Sequence, residues 1–266
     1  MRTTMLITVA AVALATSLAF ANPGDPFGGD DTGCAPDTKE HSGCEFRVAK
    51  SLARLVAVVT RCHITQAEAA FRGAGFGEGG CEQVARTKLD KILAGLAGLG
   101  FCPQAVLDNA AAQEATLLAG RTQTSPRSLD ALNGDIFCDS TSGIPLAATP
   151  GDPDADDAGW VPNTPGNLKC AVGAAKNLAK LWVGIVVRCH VRAAGLLYKG
   201  EPADDEACED GAIFGIRSKY DKVVTKLVAA GICPSCLDAA GQAALGDAIE
   251  VRVDRENGLV FVCPAP

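Results

Sequence analysis

Residues 88–103 read KLDKILAGLAGLGFCP, and residues 219–234, 131 positions later, read KYDKVVTKLVAAGICP. The two stretches share Lys88/Lys219, Asp90/Asp221, Lys91/Lys222, Leu96/Leu227, Gly100/Gly231, Cys102/Cys233 and Pro103/Pro234. Upstream, AKSLARLVAVVTRCH (49–63) matches AKNLAKLWVGIVVRCH (175–190) with one residue of slack. Downstream, LDALNGDIFC (129–138) matches VDRENGLVFVC (253–263). Five cysteines recur in order: 44/170, 62/189, 81/208, 102/233 and 138/263. Agreement in order over about a hundred residues marks an internal duplication. The repeats span 34–141 and 164–266. A Pro-, Gly- and Asp-rich stretch, 142–163, reads as the linker between them, and 22–33 as a flexible N-terminal segment.

Each repeat reads as mainly α, a disulfide-stapled helical hairpin of about three helices. Val48, Leu52, Leu55, Val56, Val59 and Cys62 recur at helical spacing on one face. Ser42 and Glu45 have capping-box spacing and predict the helix start. A second helix carries Leu89, Ile92, Leu93 and Leu96, copied as Tyr220, Val223, Val224 and Leu227. Gly100 and Gly231 followed by Pro103 and Pro234 stop that helix and reverse the chain. Each repeat closes on a D-x-x-N-G sequence, read as a turn. The alternation of Ile249, Val251 and Val253 before the second one reads either as a short β-hairpin or as a helix that frays there.

The N-terminus predicts export. Arg2 precedes an apolar stretch from Met5 to Phe20, and Ala19-Phe20-Ala21 fits a cleavage site, making 1–21 a signal peptide. No later uncharged run is long enough to cross a bilayer, so no membrane span is expected in the mature chain. All twelve cysteines follow the cut, an even number that reads as a disulfide framework in the periplasm or outside the cell. The formal charge is −7, or −8 once Arg2 leaves, which argues against nucleic-acid binding.

Spacing gives the bonds. Cys44 to Cys62 is 18 residues and Cys81 to Cys102 is 21, about 27 and 31 Å of helix. An antiparallel hairpin then places two rungs, Cys44–Cys102 and Cys62–Cys81, with Cys170–Cys233 and Cys189–Cys208 as their copies. The second copy is four residues longer between Cys208 and Cys233, which strains the match. The economical pairing of the remainder is Cys34–Cys138 and Cys236–Cys263, so that each repeat closes three bonds and folds alone.

Candidates for chemistry are few. Cys233-Pro-Ser-Cys236 has the spacing of thiol–disulfide exchange enzymes, yet it follows a helix, and the first repeat holds Ala105 at the second position. His63 and His190 follow a cysteine in both copies. Neighbours on a helix diverge by about 100°, so neither Cys-His pair makes a dyad, and both histidines read as ordinary helix residues. Asp152, Asp154, Asp156 and Asp157 alternate like the start of a calcium loop, but the sixth and twelfth positions, Asp157 and Asn163, lack the Gly and Glu of an EF-hand. No phosphate loop, nucleophile elbow or H-E-x-x-H motif is present. The expectation is no catalytic residue and no cofactor.

The order C…AKxLA…RCH…C…KxDK…G[FI]CP…NG…C, written twice after a signal peptide, resembles cysteine-rich helical repeat proteins exported by Gram-negative bacteria. The resemblance implies export and stapled helical repeats and carries over no catalytic residue. The reading is thus an exported, non-enzymatic binding or structural module for a protein or envelope ligand. A periplasmic thiol–disulfide oxidoreductase using the CPSC pair and a calcium-dependent surface protein using the aspartates are the alternatives.

Overall fold

The structure is a computed structural model in which residues 22–120, 128–148 and 156–264 are described. The expected signal peptide, 1–21, and the calcium candidates Asp152 and Asp154 lie outside those residues. The fold is mainly helical, and its longest helix, α1 (Lys39–Phe71), bears the expected apolar stripe: Val48, Leu52, Leu55, Val56, Val59 and Cys62 are all buried. Its start differs from expectation. Thr38 is the cap, its hydroxyl accepting from the His41 amide at 3.1 Å, so Ser42 and Glu45 fall inside the helix, buried. A Ser/Thr cap three residues upstream of a free amide satisfies the same orphan donors.

Helix α2 (Glu78–Gly98) returns along α1, and Gly100 stops it with φ +73°, a left-handed conformation that costs glycine little. Helices α3 (Gln104–Leu117) and α4 (Leu129–Ile136) follow. Helix α5 (Pro165–Gly184) packs against α1. It is capped by Thr164, with Pro165 in its first turn. A π turn, Ile185–His190, then absorbs the extra residue of AKNLAKLWVGIVVRCH, and α6 (Val191–Leu197) continues the rod. The π turn keeps the apolar stripe and Cys189 on one face despite the insertion. The stretch Pro165–Leu197 is long and apolar enough to cross a membrane, but 61% of its most apolar window is buried by the rest of the protein, as in a core helix.

The four-residue excess before Cys233 also has a local solution. The second return helix is broken into α7 (Asp205–Asp210) and α8 (Ile216–Ala229), with the surplus in the bend between them. Helix α9 (Ala239–Val260) replaces the expected β-hairpin, and no strand lies among the described residues. Ile249 and Val253 are buried while Val251 is 64% exposed. These residues are spaced i, i+4 on a helix face, which three alternating residues cannot distinguish from a strand. The D-x-x-N-G sequences are helix ends rather than turns: the Phe137 and Phe261 amides close onto the Asn133 and Asn257 carbonyls at 2.8 and 2.9 Å.

All twelve cysteines are paired. Cys44–Cys102, Cys62–Cys81, Cys170–Cys233 and Cys189–Cys208 form as spacing predicts. The other two exchange partners: instead of Cys34–Cys138 and Cys236–Cys263, the bonds are Cys34–Cys263 and Cys138–Cys236. The reason lies in where the N-terminal segment runs. Residues 22–34 lie along the end of α9, with Cys34 N donating to Phe261 O at 3.0 Å and the Thr32 hydroxyl to Arg255 O at 2.9 Å. Both exchanged bonds cross between 34–141 and 164–266, and the hydrophobic core runs through both stretches.

Candidate metal centres

His63 and His190 are the buried centres of two acidic clusters, at 3% and 1% exposure. His63 projects from α1, one residue after Cys62. The Cys62–Cys81 bond fixes the facing start of α2, where Glu78 and Glu82 stand one turn apart. Asp130 comes from the first turn of α4, whose Ser128 cap accepts from the Ala131 amide at 3.1 Å. Asp157 comes from the loop before α5. From His63 Nε2, Glu82 Oε1 and Asp157 Oδ1 lie at 3.1 Å, Asp130 Oδ1 at 3.2 Å and Glu78 Oε1 at 3.5 Å.

The second cluster uses the matching positions. His190 ends the π turn, one residue after Cys189, and Cys189–Cys208 holds α7 with Asp205 and Glu209. Asp254 of α9 corresponds to Asp130. From His190 Nε2, Glu209 Oε1 lies at 2.8 Å, Asp31 Oδ1 at 3.2 Å and Asp254 Oδ1 at 3.7 Å. Asp205 faces Asp31. His190 Nε2 and Glu209 Oε1 approach without hydrogen-bond alignment. Lone pairs converge there rather than pair.

Two straps complete the cages, each in crossed fashion. The N-terminal strap, Asp30-Asp31-Thr32-Gly33, supplies Asp31 to His190. The strap Asp156-Asp157-Ala158-Gly159 supplies Asp157 to His63. Each is clipped to the N-G helix end beside it. Asn257 Nδ2 donates to Asp31 Oδ1 at 2.8 Å, and Asn133 Nδ2 donates to Asp157 Oδ1 at 3.3 Å and to Ala158 O at 3.1 Å. The glycine of each pair permits this approach: a Cβ on Gly134 would sit 2.6 Å from Ala158 Cβ, and one on Gly258 2.6 Å from Thr32 O.

Carboxylates this deep need a cation, and the chain supplies little. Among the described residues no Lys or Arg pairs with Glu82, Asp130, Asp157, Asp31, Glu209 or Asp254. Asp130 Oδ2, Asp157 Oδ2 and Asp205 Oδ2 lack any hydrogen-bond partner there. Burial pushes Glu78 and Asp31 up to about 10, with Asp157 and Asp205 respectively adding repulsion. Burial likewise raises Glu209 and Asp254 to about 8. Asp157 rises to about 7, restrained by His63. For His63, burial pulls downward, but Asp157, Asp130, Glu82 and Glu78 outweigh it and hold the imidazole well above its ordinary value. Around His190 burial wins, and the ring falls to about 4 despite Asp254 and Asp205.

Within each of the triads His63/Glu78/Asp157, His63/Glu82/Asp130 and Asp31/His190/Glu209, the donor atoms lie within 4.8 Å of one another. A cation with ligand bonds of about 2.0–2.6 Å spans donors that far apart. Of the calcium candidates, only Asp157 enters a cage. Asp156 is exposed. The histidines that read as ordinary helix residues are the centres, and nothing in the local sequence marks Glu78, Glu82, Asp130, Asp205, Glu209, Asp254 or Asp31 as ligands. Cys233 and Cys236 bond to Cys170 and Cys138 rather than to each other, which removes the dithiol of the CPSC reading. No family model matches the chain, and no curated protein or solved structure matches it.

Proposed function

We propose that the protein is an exported, non-enzymatic binding module built from two tandem stapled repeats, and that each repeat holds one divalent cation. One observation carries this reading: two histidines at equivalent positions of the duplicated sequence are both buried, and among the described residues no Lys or Arg pairs with the carboxylates that face them, Glu82, Asp130 and Asp157 about His63 and Asp31, Glu209 and Asp254 about His190. Each buried carboxylate left without a counter-charge destabilises the fold, and a bound cation offsets that cost. Six disulfides suit an oxidising compartment, either the periplasm or the exterior.

The test is metal content. The mature chain, prepared from an oxidising compartment and dialysed, should carry two equivalents of divalent cation by elemental analysis. Replacement of His63 or of His190 by Ala should remove one equivalent each. A metal-free protein that gains no stability from any divalent cation would overturn the reading.

A further inference from the structure

Resting on that reading, we infer that the two cages select first-row divalent transition ions over Ca2+ and Mg2+, on the strength of the imidazole nitrogen at the centre of each. His63 Nε2 faces four carboxylate oxygens within 3.5 Å, and His190 Nε2 faces Glu209 and Asp31 within 3.2 Å. Calcium takes six to eight oxygens and commonly recruits backbone carbonyls. On the strap, Ala158 O already accepts a hydrogen bond from Asn133 Nδ2 at 3.1 Å. Magnesium gives up water reluctantly, and the His63 cage is largely shielded from solvent: the His63, Glu78, Asp130 and Asp157 side chains are 4%, 0%, 1% and 0% exposed and Glu82 11%. Soft ions want thiolate, and every cysteine is in a disulfide. A mixed set of one imidazole and several carboxylates remains, the donor set of Mn2+, Fe2+ and their neighbours.

Mn2+ is the most demanding probe, because it binds most weakly in its series. The experiment titrates Mn2+ into the mature, oxidised protein, follows the loss of the free-ion electron paramagnetic resonance signal, and then adds Ca2+ in about tenfold excess. The expected result is two bound Mn2+ that Ca2+ does not displace. Binding of neither ion overturns both this inference and the cage reading. Equal binding of both, or displacement by Ca2+, overturns the selectivity alone and leaves the cages standing. A second variant needs no loss of fold: His63→Asp with His190→Asp makes both cages all-oxygen, and Ca2+ should then compete about tenfold better than against the natural protein. An unchanged competition would show that the imidazoles do not set the choice.

Discussion

Two residues outside the ligand sets expose the forces at work. Gly134 touches no cation, yet its missing Cβ is what lets Ala158 pass, and with it Asp157. Gly134→Ala should displace that strap, costing about 1–3 kcal/mol as overpacking does, and should empty the His63 cage while the His190 cage stays filled. Elemental analysis and thermal unfolding check this. Adding Ala158→Gly should restore the ion, whereas a full complement of metal in Gly134→Ala would refute the steric argument. Glu45 is a different case, a carboxyl inside α1 that no cage uses. Burial, with Asp37 adding repulsion, pushes it from its ordinary 4.5 to about 8. Below 4.5 both folded and unfolded states hold the proton, so there is no effect. Between 4.5 and 8 the folded state keeps a proton the unfolded state has lost, and stability falls by about 1.4 kcal/mol per pH unit as pH rises. Above 8 the loss is complete. Glu45→Gln removes this slope, so denaturant unfolding with saturating cation should diverge between the two proteins from about pH 5 upward, the variant being the more stable. Parallel curves would count against it.

At the scale of elements, each cage is assembled by a disulfide that joins two ligand-bearing segments. Cys62 precedes His63 and Cys81 precedes Glu82, so the bond sets the distance between the ligands themselves. Replacing Cys62 and Cys81 together with Ala should cost about 3 kcal/mol for a loop of this size. It should also weaken cation binding at His63 without touching His190, which titration of both sites would resolve. Unaltered affinity at His63 would mean that core packing alone holds the ligands. The helices themselves were legible: the stripe from Val48 to Cys62 and the Gly100 and Gly231 stops all stand. What sequence periodicity missed were the places where an insertion is absorbed. One surplus residue became the π turn at Ile185–His190, and four became the bend between α7 and α8. Both depend on which tertiary contacts are kept, and in each case the contact kept is the disulfide and the ligand beside it.

At the scale of the whole molecule, 34–141 and 164–266 are not beads on a string, because the strap that reaches His190 precedes α1, the strap that reaches His63 precedes α5, and two disulfides cross between the stretches. Local reading could not reach this. His63, Glu82, Asp130 and Asn133 recur in register as His190, Glu209, Asp254 and Asn257, and that recurrence was the available signal. Beside its neighbouring cysteine each histidine reads as an ordinary helix residue, while Asp31 and Asp157 lie in stretches whose composition reads as flexible. The crossing also decides how the chain should behave when divided. A cut after Ala148 leaves Asp31 and Cys34 with one half and Asp157 and Cys263 with the other. Cys138 and Cys236 are parted as well. Neither half then holds a complete cage, and the core shared through α1 and α5 is opened. Expressed alone in an oxidising compartment, each half should give weak helical circular dichroism and no bound cation. Expressed together, they should be recovered as one covalent pair on a non-reducing gel, joined by Cys34–Cys263 and Cys138–Cys236 and carrying both ions. Two halves that each fold, stay separate and bind one ion apiece would show that the straps can close onto their own repeat, and the crossed arrangement would fall.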